Sequence, residues 1–182
     1  MRIVAGQCKG KTLFSPKNAD TRPTSDRMRE AIFSILGDIV YDATVLDLFA
    51  GTGALGLEAL SRGARTCSFV ENSKGAISLL KKNVAACKMT DMATVFAKDA
   101  TGSLSYLQKE SPFTLVFLDP PYQTYDISTI IQSLFAQSLL APMATVVLET
   151  GLREEISVPD SFICQKERKY GNGKVFFLQY LV

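Results

Sequence analysis

LDLFAGTGALGLEAL, Leu46 to Leu60, is an apolar run interrupted by one acid, then Gly51-x-Gly53-x-x-Gly56, then an apolar stripe at helical spacing. A strand that enters a helix through three such glycines is the turn by which doubly wound α/β sheets approach a nucleotide-like ligand. Working outward, the same alternation repeats. TVLDLF is a strand, ALGLEALSR a helix ended by Gly63, TCSFVE a strand, and SKGAISLLKKNVAACK a helix capped by Ser73; TVFAKD and FTLVFLD are further strands. These strands are almost continuously apolar, as parallel strands covered on both faces must be.

Beyond Tyr122 the pattern predicts a helix over Ile127 to Leu140, a strand over Ala144 to Glu149, and two strands flanking the turn signal Gly171-Asn172-Gly173. Before the glycine loop, Arg2 to Phe14 reads as two short strands about Lys9-Gly10-Lys11. RPTSDRMREAIFSILG reads as a helix, with Pro23, Thr24, Ser25 and Asp26 as start signals and Gly37 as the stop. The expected architecture is α/β: one doubly wound, mostly parallel sheet with an antiparallel C-terminal hairpin. A chain of 182 residues fits one domain, residues 1–182, with 1–40 as an N-terminal extension and 41–182 as the core.

Composition removes several function classes. There is no histidine, which excludes Ser-His-Asp and Cys-His catalysis and histidine-ligated metals. The four cysteines form no C-x-x-C pair and no disulfide framework, so no metal site and a reducing, cytoplasmic setting are expected. No apolar run is long enough to span a bilayer. The net charge of +2 is unevenly placed: residues 1–30 carry +4 and 164–182 carry +3, leaving −5 between them. Basic ends suit a polyanion such as nucleic acid.

In doubly wound sheets ligands bind outside the carboxyl ends of the strands. Here those ends carry Asp47, Glu71, Asp99 and Asp119. The glycine spacing, with Glu71 twenty residues beyond Gly51, literally permits a dinucleotide. A pyrophosphate would however meet Asp47 with no lysine or arginine in the loop to offset it. S-adenosylmethionine, which carries a sulfonium, an ammonium and a ribose diol but no phosphate, fits the acids better: Asp47 toward the cationic end, Glu71 to the ribose, Asp99 to the adenine amino group.

The strand end LVFLDPPYQ, Leu115 to Gln123, brings Asp119 to the same rim. Pro120 and Pro121 remove two backbone donors and leave carbonyls, making an acceptor-rich corner suited to the exocyclic amino group of a base. Tyr122 can stack on that base.

LDLFAGTGALGLEALSRGA, FVE, LVFLDPPY and RPTSDRMREAIFSIL together resemble the RsmD family, over nearly the whole chain. The resemblance implies a class I S-adenosylmethionine-dependent methyltransferase fold. It also implies methylation of the guanine N2 amino group at guanine 966 of small-subunit ribosomal RNA, within an assembling or assembled 30S subunit. By motif, Asp47, Phe49, Gly51, Gly53, Glu71 and Asp99 correspond to cofactor positions, and Asp119, Pro120, Pro121 and Tyr122 to catalytic ones. Arg22 and Thr24 would close over the methionine end.

Arg2, Lys9, Lys11, Arg27 and Arg29 near one end, and Lys166, Arg168, Lys169 and Lys174 near the other, are then candidate RNA phosphate contacts. Arg27 or Arg29 could instead pair with Asp26 or Glu30. A monomeric protein with no membrane partner is expected. Asp-Pro-Pro-Tyr also occurs in adenine-N6 and cytosine-N4 methyltransferases, so the motif does not by itself choose the base. A nicotinamide-dependent oxidoreductase and a catalytically silent RNA-binding module are the remaining readings.

Overall fold

The computed structural model describes residues 1–16, 26–121, 125–154, 156–171 and 173–182. The sequence positions Arg22, Thr24 and Tyr122 lie outside these residues.

Seven strands form one sheet in the order β3-β2-β1-β4-β5-β7-β6. They are β1 (Thr44–Leu48), β2 (Thr66–Glu71), β3 (Ala93–Ala97), β4 (Phe113–Leu118), β5 (Leu140–Gly151), β6 (Phe162–Tyr170) and β7 (Gly173–Tyr180). The pairings from β3 through β5 are parallel, and β7 runs antiparallel to both β5 and β6. Chain order reverses between β1 and β4, which places the topological switch point there.

Alternation along the strands sorts the core into two layers. Val45, Leu115, Phe117, Val147 and Phe177 face one way, with α1 (Asp26–Leu36), α2 (Ala54–Ser61), α3 (Lys74–Ala86) and the N-terminal segment. Leu46, Leu48, Val116, Leu118, Val146 and Leu148 face the other, against Ile130, Ile131 and Leu134 of α4 (Ile127–Ala136). Both faces of the central strands are covered, which explains why they read as unbroken apolar runs.

Three boundaries differ from the sequence reading. The N-terminal hairpin closes through a single antiparallel bridge, Arg2 to Thr12, because the N–H groups of Val4 and Ala5 donate to Glu58 on α2 (2.7 and 3.0 Å) instead of to a partner strand. Helix α4 stops at Ala136, four residues early. Ser138 takes φ +53°, and the Leu139 N–H closes back onto the Leu134 carbonyl at 3.1 Å, a helix-ending turn. Leu140 is thereby free to pair with Phe113 at the start of β5.

Arg29 is not an RNA contact. Its side chain is fully buried, donating to the Arg2 carbonyl (2.5 Å) and to Asp26 Oδ1 (2.7 Å) and lying 3.6 Å from the equally buried Glu58. It ties α1 to the N-terminal segment and α2, while its neighbour Arg27 is exposed. Removing one partner of a buried ionic cluster leaves charge uncompensated. Arg29→Ala should therefore lower the unfolding free energy by about 3 kcal/mol in urea titrations, whereas Arg27→Ala should stay within about 0.5 kcal/mol of the parent.

Candidate functional site

Register fixes the rim. Leu48 pairs with Val70 on one side and Leu118 on the other, so Phe49, Glu71 and Asp119 are the next residues on three adjacent strands. With strands about 4.8 Å apart, Glu71 and Asp119 flank the glycine loop at a backbone separation of about 10 Å.

The chain leaves β1 through Phe49, a non-glycine residue at φ +61°, in a conformation that side chains rarely adopt and that collects at functional turns. Its ring meets Tyr125 at a centroid distance of 5.0 Å. Gly53 is required twice over: φ is +84°, and a Cβ there would come within 2.3 Å of the Leu80 side chain. Gly56 is required by packing. A Cβ would reach to 2.3 Å from Phe69 and 2.6 Å from the Cys67 sulfur, so the glycine lets α2 lie directly on β2.

Two carboxylates hold the loop. Asp47 is 1% exposed, and its Oδ2 accepts the Gly56 N–H at 2.9 Å. Burial pushes its carboxyl up to about 7, with the neighbouring Glu71 charge adding to the shift and the Gly56 hydrogen bond opposing it. Asp47 thus sits buried beneath the loop, bonded to its far end at Gly56. Glu71 accepts the Gly51 N–H on Oε2 (2.8 Å) and the Asn72 and Ser73 N–H groups on Oε1 (3.0 and 2.8 Å). Three of the roughly four acceptor positions of a carboxylate are thus taken by backbone N–H groups.

Asp99 lies two residues beyond β3 and is exposed. Its Oδ1 accepts from the Thr101 hydroxyl and N–H, bonds that hold its carboxyl below the usual range. Asn72 Nδ2 reaches Asp99 Oδ2 at 3.3 Å. Asn72 therefore joins the Glu71 and Asp99 sites, and no motif marked it in advance. Tyr125 was missed for the same reason. It lines a cleft of about 280 Å³ together with Ala100, Thr101, Gly102, Asp126, Thr129, Ile130 and Ser133, directly beside Asp99. At the third strand end, Asp119 is half-buried and Pro120 buried, while Pro121 is exposed.

The two basic ends do not merge. The N-terminal segment packs on α2 and α3, over the β1–β3 half, while Lys166, Arg168, Lys169 and Lys174 lie on the hairpin at the opposite edge. Lys174 is half-buried, its Nζ 5.2 Å from the Phe176 ring centroid. The tip of that hairpin, Tyr170 paired with Gly173, abuts Gly151 at the carboxyl end of β5. The hairpin's positive groups consequently lie toward the acidic rim, whereas the turn that carries Lys9 is bonded to Ser61 and Cys87 at the far ends of α2 and α3.

A family model described as Conserved hypothetical protein 95 matches residues 1–179. The chain belongs to that family, the RsmD family. It is 35% identical over 173 residues to the Escherichia coli K12 protein named Ribosomal RNA small subunit methyltransferase D, covering 94% of this chain and 85% of the relative. A Haemophilus influenzae relative of the same name is 34% identical over 172 residues, 94% and 89% of the two chains. The solved structure of yhhF from Escherichia coli matches with a TM-score of 0.88 at 33% identity, covering 100% of this chain and 98% of that one. The fold of this RsmD-family chain is the class I methyltransferase fold.

Asp47 gives the site a pH signature. Its folded value is about 7 against about 3.9 for an unfolded aspartate. A raised folded value means that the native state holds the proton more tightly. The stabilising contribution is complete below about pH 4 and is lost as pH rises through about 7. Denaturant midpoints of the ligand-free protein measured across that window should fall with pH by more than those of Asp47→Asn, whose amide oxygen keeps the Gly56 hydrogen bond without titrating.

Proposed function

We propose that this protein transfers the methyl group of S-adenosylmethionine to the exocyclic N2 amino group of a guanine in small-subunit ribosomal RNA, guanine 966 by family resemblance. The observation that supports it most is the register of β1 with β4, which sets the Asp119-Pro120 corner beside the glycine loop. The names of the relatives support the RNA class and the methyl chemistry.

The donor set suits this cofactor. The strand ends offer carboxylates at Glu71 and Asp99 and a buried one at Asp47, and the described part of the loop, Phe49 to Ala54, contains no lysine or arginine to meet a phosphate. Glu71 Oε2 would take a ribose hydroxyl, Asp99 the adenine amino group, and the cleft at Ala100 and Tyr125 the adenine ring. Arg22 and Thr24 would close the methionine end. When bound, the cofactor supplies an electrophilic methyl on a cationic sulfur.

The chain's own residues do the rest by placement. The guanine amino nitrogen is a poor nucleophile because its lone pair is delocalised into the ring. The Asp119 carboxylate and the Pro120 carbonyl would accept its two N–H groups, turning the lone pair toward the methyl. Tyr122 would stack on the base and replace the stacking lost on extrusion. The proton leaves through Asp119 or water once the new N–C bond has formed. Residues 1–182 would act as one catalytic domain and as a monomer, on a small subunit in the cytoplasm.

The decisive assay follows labelled methyl from S-adenosylmethionine into small subunits lacking the modification, with the modified nucleoside identified by mass spectrometry. A single site of N2-methylguanine is expected. Asp119→Ala should lower turnover by about 10²- to 10³-fold, the cost of removing one well-placed polar partner in an active site, with cofactor affinity retained. N6-methyladenine or N4-methylcytosine as product would select the alternative base.

A further inference from the structure

We propose that the cleft between the N-terminal segment and α3 holds an unpaired base of the substrate RNA stacked on Phe14, with Lys11 beside it taking a phosphate. The inference rests on the RNA reading above and adds to it a binding surface away from the Asp119 corner.

The cleft, about 340 Å³, is lined by Lys11, Thr12, Leu13, Phe14 and Ala86. Phe14 is 52% exposed, yet its backbone is firmly held. Its N–H donates to Asn83 Oδ1 at 2.7 Å and its carbonyl accepts from Asn83 Nδ2 at 3.0 Å. Asn83 is itself fully buried on α3. A ring whose main chain is clamped while its face stays in water is a pre-organised stacking platform, and such platforms take any base.

The surroundings are cationic. Lys9 and Lys11 are exposed on the N-terminal segment, and the second half of α3 with the turn after it adds exposed Lys81, Lys82 and Lys88, with no acid between Lys74 and Met89. Lys82 is one helical turn from Ala86 on the same face of α3. This positive stretch is hidden in the sequence because the middle of the chain is acidic overall. A lone aromatic among lysines matches a single-stranded polyanion with bases rather than an apolar protein partner.

The same buried amide also donates to the Thr52 carbonyl of the glycine loop at 2.9 Å. One side chain thus fixes both the proposed base platform and the turn that faces the cofactor.

The chain contains no tryptophan, so Phe14→Trp installs a single indole in the cleft. Adding short single-stranded oligouridylate should quench its emission saturably, and less at high salt. Phe14→Ala and Phe14→Leu should each weaken oligouridylate binding roughly tenfold with unchanged thermal stability, and Lys11→Gln should reduce the salt slope by about one. Unmoved indole emission at saturating oligouridylate, or Phe14→Leu binding as tightly as the parent, would overturn the proposal. Methyl transfer to small subunits by the unaltered protein separates the two readings. Transfer without quenching removes the cleft and keeps the function, and quenching without transfer does the reverse.

Discussion

Carboxylates hold the glycine loop at both ends, Glu71 by the Gly51 N–H and Asp47 by the Gly56 N–H. The turn out of β1 must expose backbone donors, because it passes through left-handed conformations at Phe49, Gly51 and Gly53 where no ladder can satisfy them. An acid at the end of a neighbouring strand takes up the Gly51 donor, and an acid inside the same strand takes up the orphan Gly56 donor in the first turn of α2. The position of α2 follows, and with it the surface on which the N-terminal segment folds.

That segment depends on a second buried carboxylate. Glu58, fully enclosed on α2, accepts the N–H groups of Val4 and Ala5, receives the Arg62 guanidinium at 2.8 Å and lies beside Arg29. Burying an anion is costly unless its hydrogen-bonding positions are filled, and here two backbone donors and two arginines fill them. Arg62 in turn lies over the Phe33 ring at 4.8 Å, so the charge cluster grades into the apolar layer of α1. Among the described residues, Arg2 to Ala5 and the start of α1 are therefore attached to the sheet largely through α2.

The parallel part of the fold was legible because its signals are local and redundant. The strand runs TVLDLF and TCSFVE carry their own burial pattern, Ser73 caps α3 through a side-chain bond to Ala76, and the glycine spacing states its own geometry. The acids at the rim could be read for the same reason, since each follows an apolar run. For Arg29 the alternative pairing with Asp26 could be read and is present, but its burial against Glu58 could not. Its neighbour Arg27 is two residues away and exposed, and only the crossing of α1 over Glu58 distinguishes them. Asn72, Asn83 and Tyr125 were equally silent, because each acts through a partner distant in sequence. The end of α4 escaped because Leu139 and Leu140 extend its apolar pattern, while the turn at Ser138 has no glycine to announce it.

The outermost strand, β6, has one side of its backbone unpaired among the described residues, a standing invitation to strand addition by another chain. Its middle reads Lys166, Glu167, Arg168 and Lys169, and its pairing with β7 slips between Cys164 and Lys166. Charge and irregularity together make this border a poor template for a second copy. The basic groups of this strand thus guard against self-association. A variant that exchanged them for apolar residues would expose an edge competent to seed aggregates, whatever became of its affinity for RNA.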